Sequence, residues 1–399
     1  MNGSQEPDRA GTFLMNWMWR KPADTLGERA RRRIVVHLIP WLFFLYILAF
    51  LDRANISVAK FGMEKPPIDG GLGFNNEIIG LGFGMFFWGY WFLEVPSTIS
   101  VVRWGARWVF VRILILWGIC TVFIGSIGTS FATKMFSWLP HFPEHTAAID
   151  GIDQRIEAWF GWVARLGDHP DPLNAVSDFM NFLNGLPESP INQFYFFRFM
   201  LGFFEGGFFP SVIVYLGLWF RTEDRAKAIA TFMAAIPLSN VIGNPFSGLI
   251  LKVNWLDIPG WRWIFVIQGI APVFAGIATL FFLPSRPNKA TWLPPEERDW
   301  LMGELDREQK EKKGHGHWEW VRHLGIVLLL TGVYFCQNVS SYGLLTFMPS
   351  IFKAQFDPNY NGADFWASVL SSLVYMMALL GMLFNGLHSD RTKERIFHV

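Results

Sequence analysis

Eight stretches of this chain are each long and apolar enough to cross a bilayer, and no other feature constrains its fold as strongly. A spanning helix needs about 20 mostly apolar residues, and such runs cover roughly 34–60, 78–101, 109–131, 192–220, 228–251, 262–283, 323–350 and 365–387. The first run follows a long polar leader, Met1 to Arg33, so it reads as a retained span and not as a cleaved signal. Composition agrees. Hydrophobic residues make up 51% of the chain and charged ones 17%, and 40 Phe with 20 Trp exceed what a soluble core of this size uses. With 34 Lys and Arg against 33 Asp and Glu, bulk charge gives no sign of a nucleic-acid partner. Cys120 and Cys336 both lie in apolar runs, which excludes a disulfide framework and a cysteine-rich zinc site. What remains is an all-α polytopic membrane protein, with the lipid bilayer as its first partner.

The basic residues set its direction. Arg31, Arg32 and Arg33, then Arg103, Arg107 and Arg112, Arg221, Arg225 and Lys227, the stretch from Arg286 to Arg322, and Arg391, Lys393 and Arg395 all fall on one side of the alternating spans. Such segments stay in the cytoplasm, so both termini are expected there. The chain then divides into a cytoplasmic N-terminal segment (1–33), a six-helix bundle (34–283), a cytoplasmic linker (284–322) and two further spans (323–399). An acidic insert at 132–190 interrupts the bundle on the opposite side. Its Ile152, Ile156, Trp159 and Phe160 recur at helical spacing, as in a short surface helix or a loop covering the bundle. Gly202 with Gly206, and Gly80 with Gly84, are spaced to let helix backbones approach. Gly243, Asn244 and Pro245, and separately Pro210, read as helix breaks lining a cavity.

Charges inside spans are costly and therefore informative. The first span holds Asp52 and Arg53, the fourth Arg198 and Glu205, and the second Glu94, four residues past Tyr90. Arg198 and Glu205 are two turns apart, which places them on one face about 10 Å from each other. Counted from the cytoplasmic ends, Asp52 and Glu205 fall in the same layer. Two readings follow: mutual neutralisation in a packed bundle, or an arginine that holds an anion beside a carboxylate that takes up and releases a proton. Glu94 precedes Pro96 near Arg103 and Arg107, the setting of a gating ion pair. His315 and His317 lack further ligands, so no metal is expected. No nucleophile–base set or phosphate loop is present, and neither enzyme activity nor a cofactor is expected.

The segment Asp52-Arg53-Ala54-Asn55-Ile56-Ser57-Val58-Ala59 resembles the DRxNxSxA pattern of the anion:cation symporter family within the major facilitator superfamily. Gly89-Tyr90 with Glu94-Val95-Pro96-Ser97, Trp104-Gly105-Ala106-Arg107, the run from Arg198 through Glu205 to Pro210, Asp224-Arg225-Ala226 and Gly260-Trp261-Arg262-Trp263 extend the resemblance in order. Leu283-Pro284, Trp292-Leu293 and Glu296-Glu297 resemble the linker of bacterial tartrate and sugar-acid permeases. The resemblance covers about 31–131 and 192–399. It implies two six-helix bundles with alternating access to a central site, in a bacterial cytoplasmic membrane. It also implies proton symport of a small organic anion, a sugar acid or a dicarboxylate. Asp52 and Glu205 would carry protons. Arg53 and Arg198 would face the substrate, with Tyr90, Asn338, Tyr342, Ser239 and Asn240 lining the site. Glu94, Arg103, Arg107, Asp390 and Arg391 would belong to gates. Two departures stand out: the loop from Val102 to Arg107 lacks the family's aspartate, and eight spans stand where the resemblance implies twelve. A fragment or early stop is one expectation from that count, and a non-transporting remnant or anion-binding membrane sensor is the alternative function. Eight spans alone would leave Gln337, Asn338, Ser340, Ser341 and Tyr342 without covering neighbours.

Overall fold

The computed structural model describes residues 25–137, 181–312 and 324–392. The surface-helix expectation at Ile152, Ile156, Trp159 and Phe160, and the pair His315 and His317, lie outside those residues. Eight helical spans are present among the described residues. They are Leu26–Met63, Asn76–Trp104, Ala106–Ile124, Pro190–Gly217, Thr222–Leu251, Gly260–Phe282, Leu324–Lys353 and Ala363–Gly386. The last helix runs on to Thr392.

Local chemistry explains three of the helix starts. Thr25 caps the first helix by accepting from the Glu28 N–H (3.3 Å), and Asn75 caps the second through Ile78 (2.8 Å). Ser189 caps the fourth, with Pro190 in the first helical position, where its missing N–H costs nothing. At 38 residues the first helix is about 57 Å long, well beyond the ~30 Å apolar thickness of a bilayer. Its early turns are therefore polar, and they are held by ion pairs from Arg31 to Asp224 (3.3 Å) and from Arg33 to Glu297 (3.2 Å). The linker forms a helix, Pro295–Lys312, across this end. His37 and Trp219 both stack on Trp292 (4.3 and 5.7 Å), and Glu308 accepts from the Thr222 hydroxyl (2.8 Å). Arg107 donates to the Leu283 carbonyl (2.7 Å) and Arg286 to that of Val102 (3.0 Å), which ties the end of the sixth span to the turn between the second and third.

Spans one to six pack around a shared aromatic and aliphatic core that includes Trp117, Phe86, Phe110, Phe208 and Tyr215. Two pairings bring backbones close. Against the second span, Gly202 meets the Phe86 carbonyl so tightly that a Cβ there would collide with it. The sixth span meets the third through Gly269 and Gly118, each facing the other's carbonyl. Gly80 and Gly84, by contrast, meet no helix closely: the space at Gly84 is open, and Gly80 lies near Phe347. Their spacing matched a packing motif, but Gly82 and Gly89 carry the close approach on that span.

The expected helix break at Gly243, Asn244 and Pro245 is absent, because Ala235–Leu251 continues as one helix with Pro245 inside it. The fifth span is broken earlier, at Ala234, between Thr222–Met233 and Ala235–Leu251, and the fourth between Pro190–Glu205 and Phe208–Gly217. Pro210 sits in the first turn after the break in the fourth. The seventh span packs against the first and eighth but is exposed over most of its length. Gln337, Ser340 and Ser341 are exposed, while Leu345, Thr346 and Pro349 are buried.

Candidate functional site

Neighbouring residues on a helix point about 100° apart, so Asp52 and Arg53 must serve different surroundings. Asp52 faces the interior of the bundle and is fully buried. Its Oδ2 accepts from Trp117 Nε1 (2.6 Å) and Thr121 Oγ1 (2.7 Å), and its Oδ1 from Asn55 Nδ2 (2.8 Å). Trp117 and Thr121 lie one turn apart on the third span, so a single helix face supplies both donors. Neither residue carries a charge that would mark it in the sequence. A threonine and an indole four residues apart in an apolar helix were the available signal.

Arg53 faces the seam between the first and seventh spans. Its Nε donates to Glu205 Oε1 (2.7 Å), and its Nη2 lies 2.6 Å from the same oxygen. Nη1 donates to the Tyr342 hydroxyl on the seventh span (3.4 Å). The rings of Phe50, Phe86 and Tyr90 surround the guanidinium at 5.0, 5.5 and 5.2 Å. Both charged groups are buried, Arg53 with 6% and Glu205 with 0% of its surface exposed. Glu205 Oε2 has no hydrogen-bond partner among the described residues.

The helix break fixes where Glu205 stands, since it is the last residue before the break. Gly207 adopts φ +85°, a left-handed conformation that favours glycine, and a Cβ there would run into Ser97. The carbonyl of Gly206, freed by the break, accepts from Ser97 Oγ (3.0 Å), which in turn accepts from Arg112 Nη2 (3.3 Å). The contact of Gly202 with the second span sets the Phe86 and Tyr90 rings beside Arg53.

Arg198 is fully buried and has no acidic partner within 4 Å among the described residues. Its Nε donates to the Gly82 carbonyl (3.2 Å), the Phe83 and Phe86 rings lie at 5.7 and 5.3 Å, and Nη1 and Nη2 have no hydrogen-bond partner. It is within electrostatic reach of both Asp52 and Glu205.

The structure therefore brings Arg53, Glu205, Tyr90 and Tyr342 together, and sets Asp52 and Arg198 deeper in the bundle. Asn338 stands apart, donating to the Tyr334 carbonyl of its own helix (2.8 Å). Ser239 and Asn240 are buried in the fifth span, and both donate to the Ile236 carbonyl (2.7 and 3.0 Å). Glu94 makes no ion pair with Arg103 or Arg107 among the described residues, and Arg107 is committed to Leu283. The side chains of Asp390 and Arg391 lie outside the described residues.

This arrangement has a direct chemical consequence. An anion that takes the Nε and Nη2 donors of Arg53 must displace Glu205 Oε1. Leaving a buried carboxylate without its counter-charge costs about 3–5 kcal/mol.

Comparison with known proteins fits the fold. A profile for the Major Facilitator Superfamily matches residues 175–398. An Agrobacterium vitis protein whose name refers to tartrate transport is 32% identical over 377 residues, covering 94% of this chain and 70% of that protein. The "Quinolone resistance transporter" of Acinetobacter baumannii is 30% identical over 92% of this chain and 69% of its own length. Among solved structures, the D-xylose-proton symporter overlays with a TM-score of 0.53 at 16% identity, covering 90% of this chain. Across four such structures the chain spans 61% to 73% of the solved transporter's length. Their names point to different cargoes, so the likeness carries the fold and membrane transport, and leaves the cargo to the site.

Proposed function

This chain belongs to the Major Facilitator Superfamily, a family of membrane transport proteins, and from that premise we propose that it carries a small organic anion across the membrane together with protons. The observation that carries the proposal is the buried Arg53–Glu205 pair, closed at 2.6 Å beside the seventh span, with one carboxylate oxygen of Glu205 unpartnered. Arginine presents a planar donor fork that suits a carboxylate. Glu205 holds that fork until a proton neutralises it, and the cargo carboxylate then takes its place. Arg198, with two donor nitrogens unpartnered, is a second positive group that the site can draw on. The cargo class is a sugar acid or a dicarboxylate, in keeping with the relative named for tartrate transport. The excess of Lys and Arg on one side of the spans supports a cytoplasmic position for both termini, and the bacterial relatives support the cytoplasmic membrane as its location.

The test uses proteoliposomes with an imposed pH gradient. Wild-type protein is expected to accumulate tartrate or gluconate when the outside is more acidic. Glu205→Gln keeps the shape but cannot change charge, so it should exchange anion for anion without responding to the gradient. Gradient-driven accumulation by Glu205→Gln at the wild-type rate would remove Glu205 from the coupling step.

A further inference from the structure

The first span carries a further buried cation that the site above does not use. Lys60 is fully buried, and its Nζ has no hydrogen-bond partner among the described residues. It lies 4.5 Å from the centre of the Phe347 ring on the seventh span. The acids around it are not bound to it. Asp364 is held by Lys353 at 2.7 Å, and Glu64, four residues on, is within electrostatic reach without forming an ion pair. A buried ammonium with no acceptor is expensive, and inside a membrane span it marks a functional position.

Its place on the helix indicates the use. Lys60 follows Arg53 by seven residues, two turns, so both cations stand on one face about 10 Å apart along the axis. The contacts Arg53 to Tyr342, Lys60 to Phe347, and Phe61 to Lys353 run in the same order along both spans. That face of the first span therefore looks into the seam with the seventh. Helix side chains lean the same way along the axis, so the charged ends keep that ~10 Å spacing, and a carboxylate oxygen ~2.8 Å from each leaves ~4–5 Å between the two bound oxygens. One carboxylate is too short to bridge that gap, whereas a four-carbon diacid reaches across it.

We propose that Lys60 is a second anion-binding group, taking one carboxylate of a cargo whose other carboxylate lies on Arg53, so that the site selects short dicarboxylates over monocarboxylates. This rests on the reading of Arg53 as the anion-binding group and adds the second charge of the cargo. Phe347, now against Lys60, gives way to that carboxylate as the two spans part.

Binding of tartrate and of gluconate to the purified full chain, measured by calorimetry at fixed pH and salt, tests the assignment. Lys60→Met keeps the apolar stem and drops the charge. It should weaken tartrate binding on the order of 10-fold to 100-fold and leave gluconate within about twofold. Lys60→Arg should restore most of the preference for tartrate. Wild-type tartrate affinity in Lys60→Met, an equal loss for both anions, or wild-type protein that binds gluconate and not tartrate would each overturn it. The Arg53→Ala variant separates the two claims. If it loses both anions while Lys60→Met changes neither, the Arg53 reading stands and the Lys60 assignment falls; if it retains both anions, the two fall together.

Discussion

Asp52 and Glu205 are both fully buried carboxylates, but their surroundings differ in kind. Asp52 receives three hydrogen bonds, from Trp117, Thr121 and Asn55, and both of its oxygens are engaged. Glu205 has one oxygen on Arg53 and the other without a partner. A carboxylate that accepts three hydrogen bonds, from the third span and from its own helix, is held in a fixed geometry with little acceptor capacity left. One held by a single cation, at a helix break and against the seventh span, can let go when that cation finds another anion. The contrast teaches that burial alone does not mark a coupling group; what matters is whether its partners can be exchanged. On the proposed mechanism Glu205 is the group that changes charge, while Asp52 holds the first span against the third.

The most severe way to break the comparison is Arg53→Ala. It strips Glu205 of its counter-charge and the cargo of its donor fork. Anion binding by calorimetry should fall by more than about 100-fold, and the protein should lose ~3–5 kcal/mol of stability at neutral pH. Acid should recover part of that stability by neutralising Glu205. A smaller effect is expected in the saturated site. Trp117→Phe removes one of three donors to Asp52 and should lower stability by ~1–3 kcal/mol, while the dependence of anion binding on pH stays as in wild type. A changed pH dependence in Trp117→Phe would mean that Asp52 also takes part in coupling. The smallest effect belongs to Tyr342→Phe, which deletes a 3.4 Å hydrogen bond to Arg53. It should alter affinity by under about 1.4 kcal/mol, or tenfold, and leave coupling intact.

The spans were legible because apolar length reports directly on a bilayer, and the charges inside them stood out against it. The start of the first helix was less so: it begins at Leu26, eight residues before the apolar run, because Thr25 caps it and Arg31 and Arg33 find acids on other elements. Helical spacing set Arg198 and Glu205 on one face, yet the partner of Glu205 is Arg53, on another helix. Rotation between helices depends on close contacts such as that of Gly202 with Phe86, which a single sequence does not encode in any local pattern. The break after Glu205 was hidden for a related reason. Gly206 reads as a packing residue, and the freed carbonyl is stabilised by Ser97 of the second span, itself hydrogen-bonded by Arg112 of the third. Lys60 escaped notice because it lies near the end of an apolar run, where a lysine normally reaches for water.

The central claim is that the cargo carboxylate replaces Glu205 on Arg53 only as Glu205 gains a proton. The direct measurement is proton uptake when tartrate or gluconate is added to purified protein in weak buffer with a pH-sensitive dye. Wild-type protein is expected to take up about one proton per anion bound near neutral pH, and its affinity to rise as pH falls, because the bound state holds more protons than the free one. Glu205→Gln is expected to bind without proton uptake and with affinity flat across the same range. Anion binding by wild-type protein with no proton uptake, or uptake that persists undiminished in Glu205→Gln, would contradict the account.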